Sequence, residues 1–242
     1  MNSPLNTTIA YITFRGMLGR RRALLLLILP LILLLLATVL TATGYNDLDA
    51  STAVLQRFAL GALLPLLALI AGTGVIGPEI DDGQIMYVLT KPIPRPVITT
   101  TKLMVAIVIV VVFAVVPTLI AGVVMFGATA QLSIAFTAGV LVGGIAYSAV
   151  FVALAVVSRF AVTIGLLYAL VWEVLLGNVA PGARKLSILQ WSTSVTDALT
   201  SATSVTSEVS LGVAIVLLAV VTAGGAVLAA NRLRTLSITG VE

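Results

Sequence analysis

The sequence predicts an all-α integral membrane protein. It has six transmembrane helices, an N-terminal interfacial helix, a short cytosolic helix between spans two and three, and both termini in the cytosol. Three observations predict this. First, 60% of the 242 residues are hydrophobic and only 9% are charged, with a mean hydropathy of +1.20. A soluble domain carries about 25% charge, and no globular core hides so much apolar surface, so lipid is the solvent. Second, the apolar residues fall in runs of about 20, the length that crosses one hydrocarbon thickness. Third, the basic residues lie on one side. Arg15, Arg20, Arg21, Arg22, Lys91, Arg95, Lys102, Arg159, Arg232 and Arg234 fall in inner segments, against Arg57, Arg184 and Lys185 in outer ones. The positive-inside rule then sets the orientation.

Composition also excludes. There is no cysteine, hence no disulfide and no thiolate metal site, and no histidine, the commonest general base and metal ligand. A net charge of +4 with no basic face outside short loops excludes nucleic acid as a partner.

Residues 1–22 open the chain. Leu5, Ile9, Ile12 and Gly16 recur near helical spacing, which predicts a helix lying in the membrane interface. Arg20, Arg21 and Arg22 stand directly before the first apolar run and hold that end in the cytosol. Span one is 23–43. It is too long for the apolar part of a secretory signal and more spans come after it, so it reads as an anchor. Residues 44–51 read as an outer loop with two acids, Asp47 and Asp49, and span two is 53–76. Arg57, one turn inside its outer end, snorkels toward water. Pro30 and Pro65 fall near mid-span and predict kinks. Span three is 103–126, span four 134–157, span five 161–179 and span six 211–230, with a tight inner turn at Ser158, Arg159 and Phe160. The halves show no convincing internal repeat, which weighs against an inverted-repeat secondary transporter.

The longest charged interruption is 78–102. Pro78 followed by Glu79, Asp81 and Asp82 is a good helix start, because anions favour the N-terminal dipole. Pro92, Pro94 and Pro96 end that helix and stiffen the stretch after it; a second helix starts near Pro96 and leads through Lys102 into span three. The prediction is a short rigid helix, hinged at both ends, parallel to the membrane and facing cytosol. A plain inner loop is the simpler alternative, but it needs far fewer residues.

At these residues the chain resembles a known family. Glu79-x-x-x-Gly83, Leu89-x-Lys91-Pro92-x-x-Arg95 and Lys102 are similar to the pattern in permeases of the ABC type-2 transporter family, six-span subunits of ABC exporters of the type V fold. The arginine cluster, the tight turn between spans four and five and the long outer segment before span six resemble it too. The resemblance implies that the short helix within 78–102 is a coupling helix docking on a separate ABC ATP-binding subunit. It places Glu79, Asp81, Asp82, Gly83, Leu89, Pro92, Arg95 and Lys102 at or near that junction. It further implies a second permease, identical or related, around one pathway in a bacterial plasma (inner) membrane. Thr90 and Lys91 depart from the small residue often found before the proline. The chain encodes no phosphate-binding loop of its own, so it is no enzyme by itself; ATP and Mg²⁺ belong to the partner.

One acid lies at membrane depth, Glu173 in span five. With Gly165, Ala169 and Gly177 it forms a stripe of every fourth residue. Tyr168, Trp172 and Glu173 are therefore candidates for lining a pathway or pairing helices, against the plainer reading that Glu173 reaches interfacial water. Span four carries Gly139-x-x-x-Gly143, a packing stripe. Residues 180–210 form the one sizeable outer segment. It reads either as a short re-entrant or interfacial hairpin closing the outer mouth or as a plain loop, with Trp191 as a membrane anchor. Two other function classes remain open: an ion- or proton-coupled secondary transporter or channel using Glu173, and a membrane scaffold that docks a soluble partner through the central stretch.

Overall fold

The computed structural model describes residues 6–44, 47–77, 79, 94–127, 130–176, 185–200 and 205–235; of 20–22, 130, 173–176 and 234–235 it describes the backbone alone. The described residues are mostly helical, with no strand among them. Helix α1 is Thr7–Met17, α2 is Arg20–Ala42, α3 is Leu48–Gly74, α4 is Arg95–Phe126 and α5 is Ala130–Val157. Helix α6 begins as Ala161–Leu167 and continues in π-helical winding over Tyr168–Leu176. Helix α7 is Ile188–Leu199 and α8 is Leu211–Thr235.

Five of these are long and apolar enough to cross a membrane: Ala23–Ala42, Leu48–Gly74, Arg95–Phe126, Gln131–Val157 and Leu211–Leu233, with mean hydropathies of 2.0 to 3.1. The chain is thus a multi-pass helical membrane protein. The expected fifth span is represented by a shorter apolar helix, Ala161–Trp172, and its residues 177–179 lie outside the described ones.

Several boundaries differ from the sequence reading, each for a local reason. The N-terminal segment is not one helix to residue 22. Asn6 caps α1, its side-chain oxygen accepting from the N–H groups of Thr8 and Ile9, and the helix closes at Leu18. Arg20 to Arg22 form the first turn of α2. The outer loop expected over 44–51 is shorter, because Asp47 is an N-cap. Its carboxylate accepts from the Asp49 N–H at 3.3 Å, and α3 starts at Leu48.

The two mid-span prolines behave differently. Helix α2 runs unbroken through a buried Pro30. Pro65 instead follows a π-helical stretch, Leu55–Leu63, and Pro117 likewise follows Val111–Val115. A proline lacks the N–H that closes an α-turn and its ring crowds the carbonyl four residues back; the wider π-turn accommodates both. Arg57, on the π-helical stretch of α3, is exposed.

Helix α5 is the centre of the bundle, packing against α3, α4, α7 and α8. Its core-facing rings stack: Tyr147 on Phe151 at 5.9 Å between centroids, and Phe151 edge-on to Tyr168 of α6 at 6.4 Å. The turn after α5 is as tight as expected. The Ser158 hydroxyl accepts from the Phe160 N–H at 3.1 Å, and the Arg159 guanidinium lies 4.9 Å over the Phe160 ring.

Candidate functional site

The polar chemistry concentrates at one end of the bundle, on the first two turns of α4. Pro94 precedes the helix and Pro96 sits in its first turn, where the missing N–H costs nothing. Arg95 and Lys102 are seven residues apart on this segment, two turns of helix, and both reach out to other helices.

Lys102 is fully buried. Its ammonium donates to the Val75 carbonyl at 2.7 Å and to Glu79 Oε1 at 2.6 Å. Val75 is the residue that ends α3, so its carbonyl is one of those a helix leaves without an internal partner. A cation is well placed there, both as donor and against the negative end of the helix dipole. Glu79, whose side chain is about a quarter exposed, supplies the counter-charge. A buried ammonium without such an anion would be very costly. Glu79 Oε2 is also buried and has no hydrogen-bond partner among the described residues.

Arg95 repeats the device on a different helix. Its guanidinium donates to the Leu233 carbonyl, in the last turn of α8, at 3.0 Å. A third tie comes from Thr101, whose hydroxyl accepts the Asn6 N–H at 3.1 Å and donates to the Val97 carbonyl at 2.7 Å. Eight residues, 95–102, thus hold the end of α3, the end of α8 and the start of α1.

Of the residues singled out in the sequence, Glu79 and Lys102 are brought together, and Arg95 lies on the same two turns of α4. The pairing itself is new, as are the parts played by Val75, Leu233 and Thr101. An acid leaving one span and a base entering the next is the pattern from which the pairing could have been read. Asp81, Asp82, Gly83, Leu89 and Pro92, and with them the expected coupling helix, lie outside the described residues.

In α6, Gly165 sits against Leu69 and Phe151, and Ala169 is buried, so the first half of the predicted stripe faces α3 and α5. Tyr168 and Trp172 are half-buried, and the Glu173 side chain lies outside the described ones.

The opposite end is closed differently. The segment read as hairpin or loop contains α7, which lies along the first half of α5. Ser192 meets Gly143, Thr196 meets Gly139, and the Gln131 amide donates to the Leu199 carbonyl at 3.3 Å. A Cβ at Gly139 or Gly143 would collide with these hydroxyls, so glycine is what lets the helix seat so closely. The two hydroxyls on the seated face are satisfied within α7: Ser192 donates to the Ile188 carbonyl and Thr196 to that of Ser192. Ser194 donates instead to the Val209 carbonyl, beyond the helix. Trp191 is no membrane anchor: it is 5% exposed, and its indole N–H donates to the Lys185 carbonyl at 2.8 Å.

Comparison with models of protein families and with curated proteins finds no match for this chain.

Proposed function

We propose that this chain is the permease subunit of an ATP-driven exporter of the ABC type-2 kind, with six spans and both ends in the cytosol. On this reading residues 78–102 form the cytosolic coupling segment, docked on a separate ATP-binding subunit that supplies ATP and Mg²⁺. The observation that carries it is the buried Lys102–Glu79 pair on the Val75 carbonyl. A motor's push is useful only if the element it acts on is tied stiffly to the spans. Glu79 leaves the end of α3 and Lys102 enters α4, and they clamp the two flanks of the charged insert together. Arg95 extends the tie to α8. Displacement of the insert would therefore move three helices as one. Tyr168, Trp172 and Glu173 on α6 are the proposed pathway or helix-pairing residues, and a second permease completes the pathway in the bacterial inner membrane.

The test is purification of the full chain from its native membrane, with recovery of an ATP-binding subunit and of ATP hydrolysis. Because Glu79 belongs to the clamp, the docking variants are Asp81→Lys with Asp82→Lys, and Gly83→Trp. Like charge and bulk should lower subunit recovery by about tenfold, the effect of reversing rim charges at an interface, while expression and insertion stay normal. Full recovery of the subunit in both variants would place its docking surface elsewhere. Transport driven by an ion gradient without any ATPase would overturn the reading.

A further inference from the structure

Helices α1 and α4 enclose an open groove of about 380 Å³. Ala10, Tyr11 and Phe14 form one wall and Met104, Val105 and Val108 the other, and the surface between them is almost wholly apolar. The groove is held open. Asn6 pins one end of α1 to Thr101, and Thr13 and Met17 are buried on the same helix, so α1 cannot slide down to fill the gap. Its mouth is not covered: Tyr11 is 64% exposed and Met104 48%. Above the mouth, Val108, Val112, Val116 and Ile120 continue as an exposed apolar stripe up α4. On a membrane-crossing helix such a stripe faces acyl chains. Arg15 is exposed, one turn beyond Tyr11 on the same side of α1, and no acid lies on that helix.

We propose that this groove is a binding site for one anionic phospholipid, with an acyl chain lying between α1 and α4 and the headgroup at Arg15. The apolar walls take the chain, which runs on along the stripe of α4. The Arg15 guanidinium favours a negative headgroup over a zwitterionic one. The lipid becomes part of the packing of α1, filling the space that side chains leave.

Native mass spectrometry of the full chain, taken from vesicles of equal phosphatidylglycerol and phosphatidylcholine, tests this. One phosphatidylglycerol per chain should survive delipidation, preferred about tenfold over phosphatidylcholine. Ala10→Phe fills the groove and should abolish that retention. Arg15→Gln should keep a bound lipid but reduce the headgroup preference several-fold. No retained lipid, or undiminished retention in a folded Ala10→Phe chain, would overturn the proposal. Should Ala10→Phe not fold, a phosphatidylglycerol with a photoreactive acyl chain decides on the unaltered protein. Cross-links at 10–14 and 104–108 support the site, and cross-links spread over all spans refute it. Met104→Cys in this cysteine-free chain covers the remaining occupant. Efficient disulfide formation between two copies would mean that protein, not lipid, fills the groove.

Discussion

The two ends of this bundle are locked by opposite chemistry. At one end, Lys102, Glu79 and Arg95 reach across to other helices, and charge meets the carbonyls that helix ends leave unpaired. At the other, α7 sits on the glycines of α5 with no charge in the contact, and the Ser192 and Thr196 hydroxyls on its seated face bond to carbonyls of α7 itself. The first device works over several ångströms and tolerates small displacements without losing attraction. The second depends on close contact and fails as soon as the surfaces part. A bundle built this way can transmit motion through its charged end as through a stiff joint, while its glycine-seated end either stays shut or separates cleanly.

The largest effect should come from breaking the ionic clamp on one side only. Lys102→Met strands a partly buried Glu79 and removes the donor on the Val75 carbonyl, which should lower stability by about 3 kcal/mol. Adding Glu79→Leu should recover much of that loss, since an apolar pair of similar volume replaces a buried ion pair at little cost. Unfolding of the single and double variants in one detergent measures the coupling. Additive losses would mean that the two residues do not hold each other. Recovery of stability without recovery of transport is the informative result, because it separates packing from the transmission of force.

Gly143→Val should come next. The new side chain collides with Ser192 and approaches Leu64, so α7 must shift outward, at a cost of about 1–3 kcal/mol. The effect should be confined to the α7 end. Cysteines placed singly on the buried face of α7 should become reactive to a membrane-impermeant thiol reagent, while one at Val75 should not. Labelling that rises at both ends would show that the two locks are mechanically one.

Legibility in the sequence depends on how local each feature is. The apolar runs, the arginines that open α2 and the charged insert are local, and they are enough to indicate a helical multi-pass membrane protein. The pairing of Glu79 with Lys102 is not local: in the sequence Lys102 reads as a residue facing a partner, and only the fold turns it inward. The Asp47 cap is readable in principle, as an acid just before an apolar run with Asp49 in the first turn, yet the same two acids also suit a loop. Residues 188–199 leave hairpin and loop both open in the sequence, and the burial of their Ser and Thr residues has a physical reason: hydroxyls that donate to the preceding turn cost little on burial. The π-helical stretches leave no mark in composition beyond Pro65 and Pro117, each two residues past the end of one of them.

That reasoning leads to the smallest expected effect. If the hydroxyls of α7 serve only their own helix, removing them should change almost nothing. Thr196→Val keeps the shape of the side chain, and Ser192→Ala shortens it by one atom. Each loses a bond to a carbonyl four residues back, and each leaves the glycine seat intact. Replacing a polar group by an apolar one of like shape, where no partner on another helix is stranded, is nearly neutral, so each change should stay within about 0.5 kcal/mol. Thermal unfolding of the two variants beside Gly143→Val gives the comparison directly. A loss as large as that of Gly143→Val would mean that these hydroxyls bridge α7 to α5, and that polar bonds, not close packing, hold the uncharged end shut.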